Sequence, residues 1–252
     1  MPKTTAQILE DRSMAILSET VQDVRASRLP SLAYATDEDL RVALYTVFLK
    51  VLDVVRETET GDGGRKRDVR TLFLEHTKEL MDFIDGQSSY TVGHTQAVAR
   101  HAAHLASRLD LNDARIEEIE YAAWLQNIGL INQSHKLSTL PRALSEDELK
   151  AARNHAMVGA EIIRPIEFLS HLVPVVLYHH NRFDGEQSGG GPRGRDLPLG
   201  ARIIALADAY QAMREPRAYR PALTRREALD EIIKASGTQF DPDLVPLVHE
   251  LV

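Results

Sequence analysis

The chain has 252 residues, 43% of them apolar and 27% charged, a balance that suits a soluble protein with a real core in one or two domains. Its formal net charge of −7 argues against broad electrostatic attraction to nucleic acid polymers or anionic membranes. There is no cysteine, so disulfides and thiolate metal sites are excluded and any metal must be held by nitrogen and oxygen.

In chain order, almost everything reads as helix. Leu9, Ile16, Leu17, Val21 and Val24 recur at helical spacing until Leu29-Pro30 ends the segment. Thr36 with Asp39 makes a capping-box pattern ahead of a second helix, about Glu38 to Arg56. That helix carries Leu40, Leu44, Val47, Phe48, Val51, Leu52 and Val55 on one side and Val42, Leu49 and Val54 on the other. A helix apolar on both sides is buried on both sides, either inside one chain's core or between two copies. We expect a homodimer built mainly through residues 1–60. Gly61-Asp62-Gly63-Gly64 is the linker candidate, dividing an N-terminal helical region (1–64) from a second domain (65–252).

The second domain predicts helices at about Arg67–Asp85, Thr91–Leu109, Asp113–Asn127, Glu146–Ile163, Glu167–His179, Pro198–Arg214, Arg225–Ala235 and Pro242–Leu251. Ser145 with Glu148 and Thr224 with Glu227 are capping boxes, and Asp241-Pro242 is an N-cap followed by proline at the first helical position. No strand pattern survives beside these helices, so the fold class is all-α. No apolar run reaches the roughly 18 residues of a membrane span. The start, Met1-Pro2-Lys3-Thr4-Thr5, lacks the apolar stretch of a signal peptide, and a cytoplasmic location is expected.

The chemistry lies in an ordered set of residues: His94, the pair Gln126-Asn127, His155, the pair His179-His180, and Asp208. Any one histidine on a helix is more often a packed or solvated residue than a ligand. The set is more specific. His94 closes Tyr90-Thr91-Val92-Gly93-His94, and His155 opens His155-Ala156-Met157-Val158-Gly159. Asp208 stands in Ala207-Asp208-Ala209-Tyr210. From about Tyr90 onward the chain resembles an HD-GYP domain, the bacterial branch of the HD metal-dependent phosphohydrolases. The resemblance implies an HD-domain helical bundle in which these positions converge on one pocket.

The chain departs from that family at three places. The His-Asp doublet is Gln126-Asn127, so an anionic bridging oxygen becomes a neutral amide. Leu130 stands where the family has lysine. In the loop Asp184–Gly194 the Gly-Tyr-Pro positions hold Gln187, Ser188 and Gly189, and the glycines there predict mobility. A two-metal site loses a ligand to both metals at once. His94 and Asp208 are then too few to hold one metal well. His155, His179 and His180 suffice for one divalent ion (zinc, iron or manganese), the alternative being packed polar residues in an empty pocket. Arg217 and Arg220 match the family's basic run after the late aspartate, which implies phosphate binding. The alternative is a solvated, salt-bridged helix end.

The resemblance therefore implies, first, a catalytically inactive regulatory or protein-interaction domain of bacterial signalling, with or without retained cyclic dinucleotide binding. Next comes a sensor that binds cyclic di-GMP without cutting it. The third reading is a phosphodiesterase with an altered or mononuclear metal site.

Overall fold

The computed structural model describes residues 77–82, 84–86, 92–132, 142, 145, 148, 154–186, 191–217 and 220–251. The expected N-terminal helices, Gly61–Gly64 linker and 1–60 dimer face, and the Gln187–Gly189 positions, lie outside them. The chain divides into two compact units, Met1–Leu80 with Ile131–Ser134 and Met81–Leu130 with His135–Val252.

The second unit carries, in chain order, the helices α1 (His94–Ser107), α2 (Asp113–Leu125), α3 (His155–Ile163), α4 (Val173–Tyr178), α5 (Leu199–Arg214) and α6 (Arg225–Lys234). Tighter 3₁₀ segments occupy Ile128–Asn132, Glu167–Leu172, Gly194–Asp196 and Val245–Glu250. The described residues include no strand, only isolated bridges at Arg217–Arg220 and Ser236–Phe240. The all-α expectation holds. None of the described helices is long and apolar enough to cross a membrane.

The core forms where α1 packs on α2 and α5. Small side chains make this possible. Ala97, Ala99, Ala102 and Ala106 on α1, Ala122 and Ala123 on α2, and Ala201 and Ala207 on α5 are all buried. With little between them the helix axes approach closely, and Val98, Leu105, Leu125, Ile203, Ile204 and Leu206 fill the gaps.

Local signals set the ends. Gly93 takes a left-handed conformation (φ 74°) just before α1. Asp85 then caps that helix: its carboxylate accepts from the Thr95 backbone N–H at 2.6 Å and from the Thr95 hydroxyl at 2.9 Å. Both capping boxes expected in the second domain form, and the Thr36–Asp39 pattern lies outside the described residues. Thr224 and Glu227 bond reciprocally at the start of α6, and Ser145 and Glu148 do so at 2.8 and 3.3 Å.

Two predicted helices break, each at a proline. Glu167–His179 splits into a 3₁₀ turn and the short α4. Pro174 has no N–H and its ring would clash with the Ser170 carbonyl of a continuous α-helix. In Pro242–Leu251 a turn leads into the 3₁₀ segment Val245–Glu250, because Pro246 has the same effect on the carbonyl of Pro242. The second predicted helix of the site also stops early. α2 ends at Leu125, leaving Gln126-Asn127 in a turn.

Candidate metal centre

Three histidines meet where α3 and α4 pack together. His155 is the first residue of α3, and His179-His180 follow directly on α4. His155 Nε2 lies 3.3 Å from His179 Nε2 and 3.3 Å from His180 Nε2. His179 donates its Nδ1 proton to the Val176 carbonyl at 2.7 Å. That bond fixes the tautomer and turns an Nε2 lone pair toward the other two rings. Burial pushes the His179 imidazole down in pKa, against the opposing pull of Val176 and Asp208, so it favours the neutral, ligating form.

This arrangement fits one tetrahedral metal. With metal–nitrogen bonds of 2.0–2.1 Å, two ligand nitrogens on a tetrahedron lie about 3.3 Å apart. Both Nε2 separations at His155 match that edge. The three donors could hold a single zinc, iron or manganese ion and leave a position open.

The second cluster is built differently. His94 is 5% exposed at the start of α1. Its Nε2 meets Asp208 Oδ1 at 2.9 Å and its Nδ1 meets Glu215 Oε2 at 2.9 Å. The two carboxylates sit at opposite edges of one ring, so an ion at Nε2 could be shared with Asp208 but not with Glu215. Burial opposes charge on His94. The hydrogen bonds and negative charge of Asp208 and Glu215 overcome it and raise the pKa to about 10. Burial likewise works against ionised Asp208 and Glu215, and contact with His94 outweighs it, holding both below their ordinary range. The charge of Asp208 also reaches His180 and His179, which places the two clusters side by side.

Glu215 went unnoticed in the sequence. It lies 121 residues from His94, inside a run read only for its arginines. Its other oxygen accepts from Gln211 Nε2 at 2.8 Å, and Gln211 in turn meets His101 at 3.2 Å.

Gln126 is fully buried, yet its amide nitrogen and oxygen find no hydrogen-bond partner among the described residues. Asn127 is 8% exposed. Neither side chain bonds to any of the histidines among the described residues. Gly129, two residues on, has a role of its own. A Cβ there would lie 2.1 Å from the His155 carbonyl oxygen. The turn and the start of α3 touch so closely that only glycine fits.

The two arginines differ. Arg220 spends its guanidinium on the end of α5, donating to the carbonyls of Ala212 (2.8 Å), Met213 (3.3 Å), Glu215 (3.4 Å) and Pro221 (3.1 Å). It satisfies carbonyls that the helix terminus leaves open. Arg217 pairs with Glu215 at 3.2 Å and is 20% exposed. The loop after His180 is pinned at its base, where the backbone N–H groups of Phe183 and Asp184 donate to Gln239 and Thr238 at 3.2 and 2.8 Å.

Residues 78–244 match the HD domain family, about two thirds of the chain. The chain is 30% identical over 177 residues to the cyclic di-GMP phosphodiesterase response regulator RpfG of Xanthomonas campestris pv. campestris, covering 68% of this chain and 47% of that protein. It is 28% identical over 248 residues to a cyclic di-GMP phosphodiesterase of Vibrio cholerae, covering 95% and 49% respectively. It thus spans about half the length of these curated relatives. Its fold is similar to that of an HDG"Y"P protein from Bdellovibrio bacteriovorus, with TM-score 0.56 and 13% identity over 96% of this chain and 79% of that one. A cyclic GMP-AMP phosphodiesterase of Vibrio cholerae gives TM-score 0.54 at 20% identity, over 71% and 48%. As the His94-to-Asp208 series implied, the chain belongs to the HD domain family.

Proposed function

We propose that this chain is a cyclic-dinucleotide phosphodiesterase domain of bacterial signalling that works with one divalent metal, held by His155, His179 and His180. The observation that carries this reading is that His155 Nε2 lies 3.3 Å from both His179 Nε2 and His180 Nε2, the edge length of a tetrahedral metal site. A metal bound there supplies Lewis acidity toward a phosphoryl oxygen and a water of lowered pKa. Asp208 keeps its negative charge beside the histidines, which favours a cation among them. Arg217, the less committed of the two arginines, offers its outer N–H groups to a phosphate. Arg220 supports it by closing the turn: Arg217 N–H donates to the Arg220 carbonyl at 2.8 Å, and the return bond is 3.1 Å.

The relatives from Xanthomonas and Vibrio are phosphodiesterases, which supports hydrolysis better than the inactive regulatory domain that the sequence ranked first. The inactive reading keeps one argument: Gln126 and Asn127 offer no anionic oxygen, so a two-metal centre has no bridge. A cytoplasmic protein that pairs through residues 1–60 and meets a signalling partner remains part of the proposal. The pairing rests on the two-sided apolar pattern of Glu38–Arg56.

The test is reconstitution with manganese, iron or zinc, elemental analysis, and a cyclic di-GMP hydrolysis assay. The proposal expects one metal per chain and turnover that disappears in His179→Ala. One bound metal without turnover would hand the function to the inactive reading.

A further inference from the structure

Glu215 has no counterpart in the motif reading, yet it touches both Arg217 and His94. One oxygen takes Arg217 at 3.2 Å and His94 at 2.9 Å, and the other takes Gln211 at 2.8 Å. Its side chain is 13% exposed, so this carboxylate is largely screened from water, and three neighbours hold it in place. Arg217 is equally fixed, because the two-way backbone bond to Arg220 holds its turn. Among the described residues Glu215 is its single ion-pair partner. The guanidinium therefore presents its remaining donors next to a fixed negative charge.

We infer that Glu215 is a specificity-determining residue: beside Arg217 it selects singly charged phosphodiesters over doubly charged phosphomonoesters. A phosphodiester brings one negative charge to the guanidinium. A terminal phosphomonoester brings about 1.5 to 2 at neutral pH. With Glu215 already neutralising part of Arg217, the extra charge of a monoester meets repulsion in a poorly solvated place. The same repulsion disfavours a cleaved product, whose new end is a phosphomonoester. Recognition by a guanidinium alone would rank the two the other way, since the more highly charged anion binds arginine more strongly. This inference rests on the proposed phosphodiester function and adds a charge filter to it.

The experiment is calorimetry on the full chain with cyclic di-GMP and with 5′-GMP, for wild type, Glu215→Gln and Glu215→Ser. Wild type should favour cyclic di-GMP. Glu215→Gln keeps an acceptor for Arg217 and His94 but loses the charge, and should tighten 5′-GMP about tenfold while changing cyclic di-GMP much less. Glu215→Ser, smaller and neutral, should shift the ratio the same way if the glutamine variant folds poorly. A structural role alone would weaken both ligands equally, so an unchanged ratio overturns the inference. Wild type that binds neither nucleotide defeats the proposed function instead. In that case dimethyl phosphate and methyl phosphate at pH 8, followed by amide NMR shifts, read the charge preference without a nucleoside. A diester preference that falls in Glu215→Gln supports the filter. An equal ratio, or no binding of either probe, overturns it.

Discussion

Two histidine clusters stand side by side in this molecule, and the contrast between them says what each can do. At His155, His179 and His180 imidazoles face imidazoles, and Nε2 atoms meet at 3.3 Å. A proton shared between the rings satisfies these contacts, and a cation among the three nitrogens would take its place. At His94 the ring is already clamped between Asp208 and Glu215, so every charge has its opposite within 2.9 Å. One cluster is arranged to receive a metal. The other is held together by ion pairs. Asn127 offers a neutral amide between them. With no carboxylate there to bridge the halves, each cluster settles its own electrostatics.

The largest expected effect separates the clusters directly. A structural zinc is worth about 10–16 kcal/mol over four ligands, so losing one ligand costs about 3 kcal/mol or more, a hundredfold or greater loss of affinity. His179→Ala should therefore fall from one metal per chain to almost none on elemental analysis after dialysis. His94→Ala should keep its metal. Loss of metal in both variants would mean that one ion is shared across the clusters.

Stability should respond the other way. His94→Ala leaves Asp208, 21% exposed, and Glu215, 13% exposed, without their common cation. Removing one partner of a largely buried ion pair costs about 3–5 kcal/mol, and the exposure of Asp208 puts the expectation near the lower end. Urea unfolding of the metal-free protein measures it. His179→Ala, which exposes no unpaired charge, should cost less than His94→Ala. Reversed costs would show that the trihistidine cluster, not the ion pair, holds the site together.

Gly129→Ala tests the support beneath the metal cluster. The new methyl would stand 2.1 Å from the His155 carbonyl, so the turn or the start of α3 must move. We expect a loss of about 1–3 kcal/mol in urea stability, as for other overpacked sites, and weaker metal binding as His155 shifts. Unchanged metal affinity would show that His155 tolerates displacement of its backbone.

How much of this was legible in the sequence depends on the range of the interaction. The order His94, His155, His179-His180, Asp208 was readable because each histidine sits in its own short motif. The capping boxes at Ser145 and Thr224 were readable because both partners lie three residues apart. Pro174 and Pro246 could have been weighed against the helical periodicity, and they prevailed over it. Glu215 and Asp85 were not legible. Their partners are chosen by how α1 packs, 121 and 10 residues away, and no local spacing marks either carboxylate. Arg220 read as a phosphate ligand from its place after Asp208, while its carbonyl partners depend on where α5 ends.

The last contrast lets pH tell the clusters apart. His94 has a folded pKa of about 10 against 6.5 when unpaired. Its contribution is therefore fully present below pH 6.5 and is lost as pH rises toward 10, with a slope of at most about 1.4 kcal/mol per pH unit for one proton. Asp208 and Glu215 are held below their ordinary 3.8 and 4.5, so their contribution is present above those values and lost as pH falls through the folded ones. The ion-pair cluster should thus be firmest between about pH 4.5 and 6.5. The metal cluster runs opposite on the acid side, since protons compete with the ion for imidazole nitrogens. The depressed pKa of His179 softens that competition, because its ring stays neutral to lower pH than a free histidine. Urea unfolding of metal-free protein at pH 6.5 and 9 should show a fall in stability that disappears in His94→Ala. Zinc titration at pH 5.5 and 7.5 should show affinity rising with pH in both proteins. A His94→Ala variant that keeps the alkaline fall in stability would place that titration elsewhere in the molecule and dissolve the contrast between the two clusters.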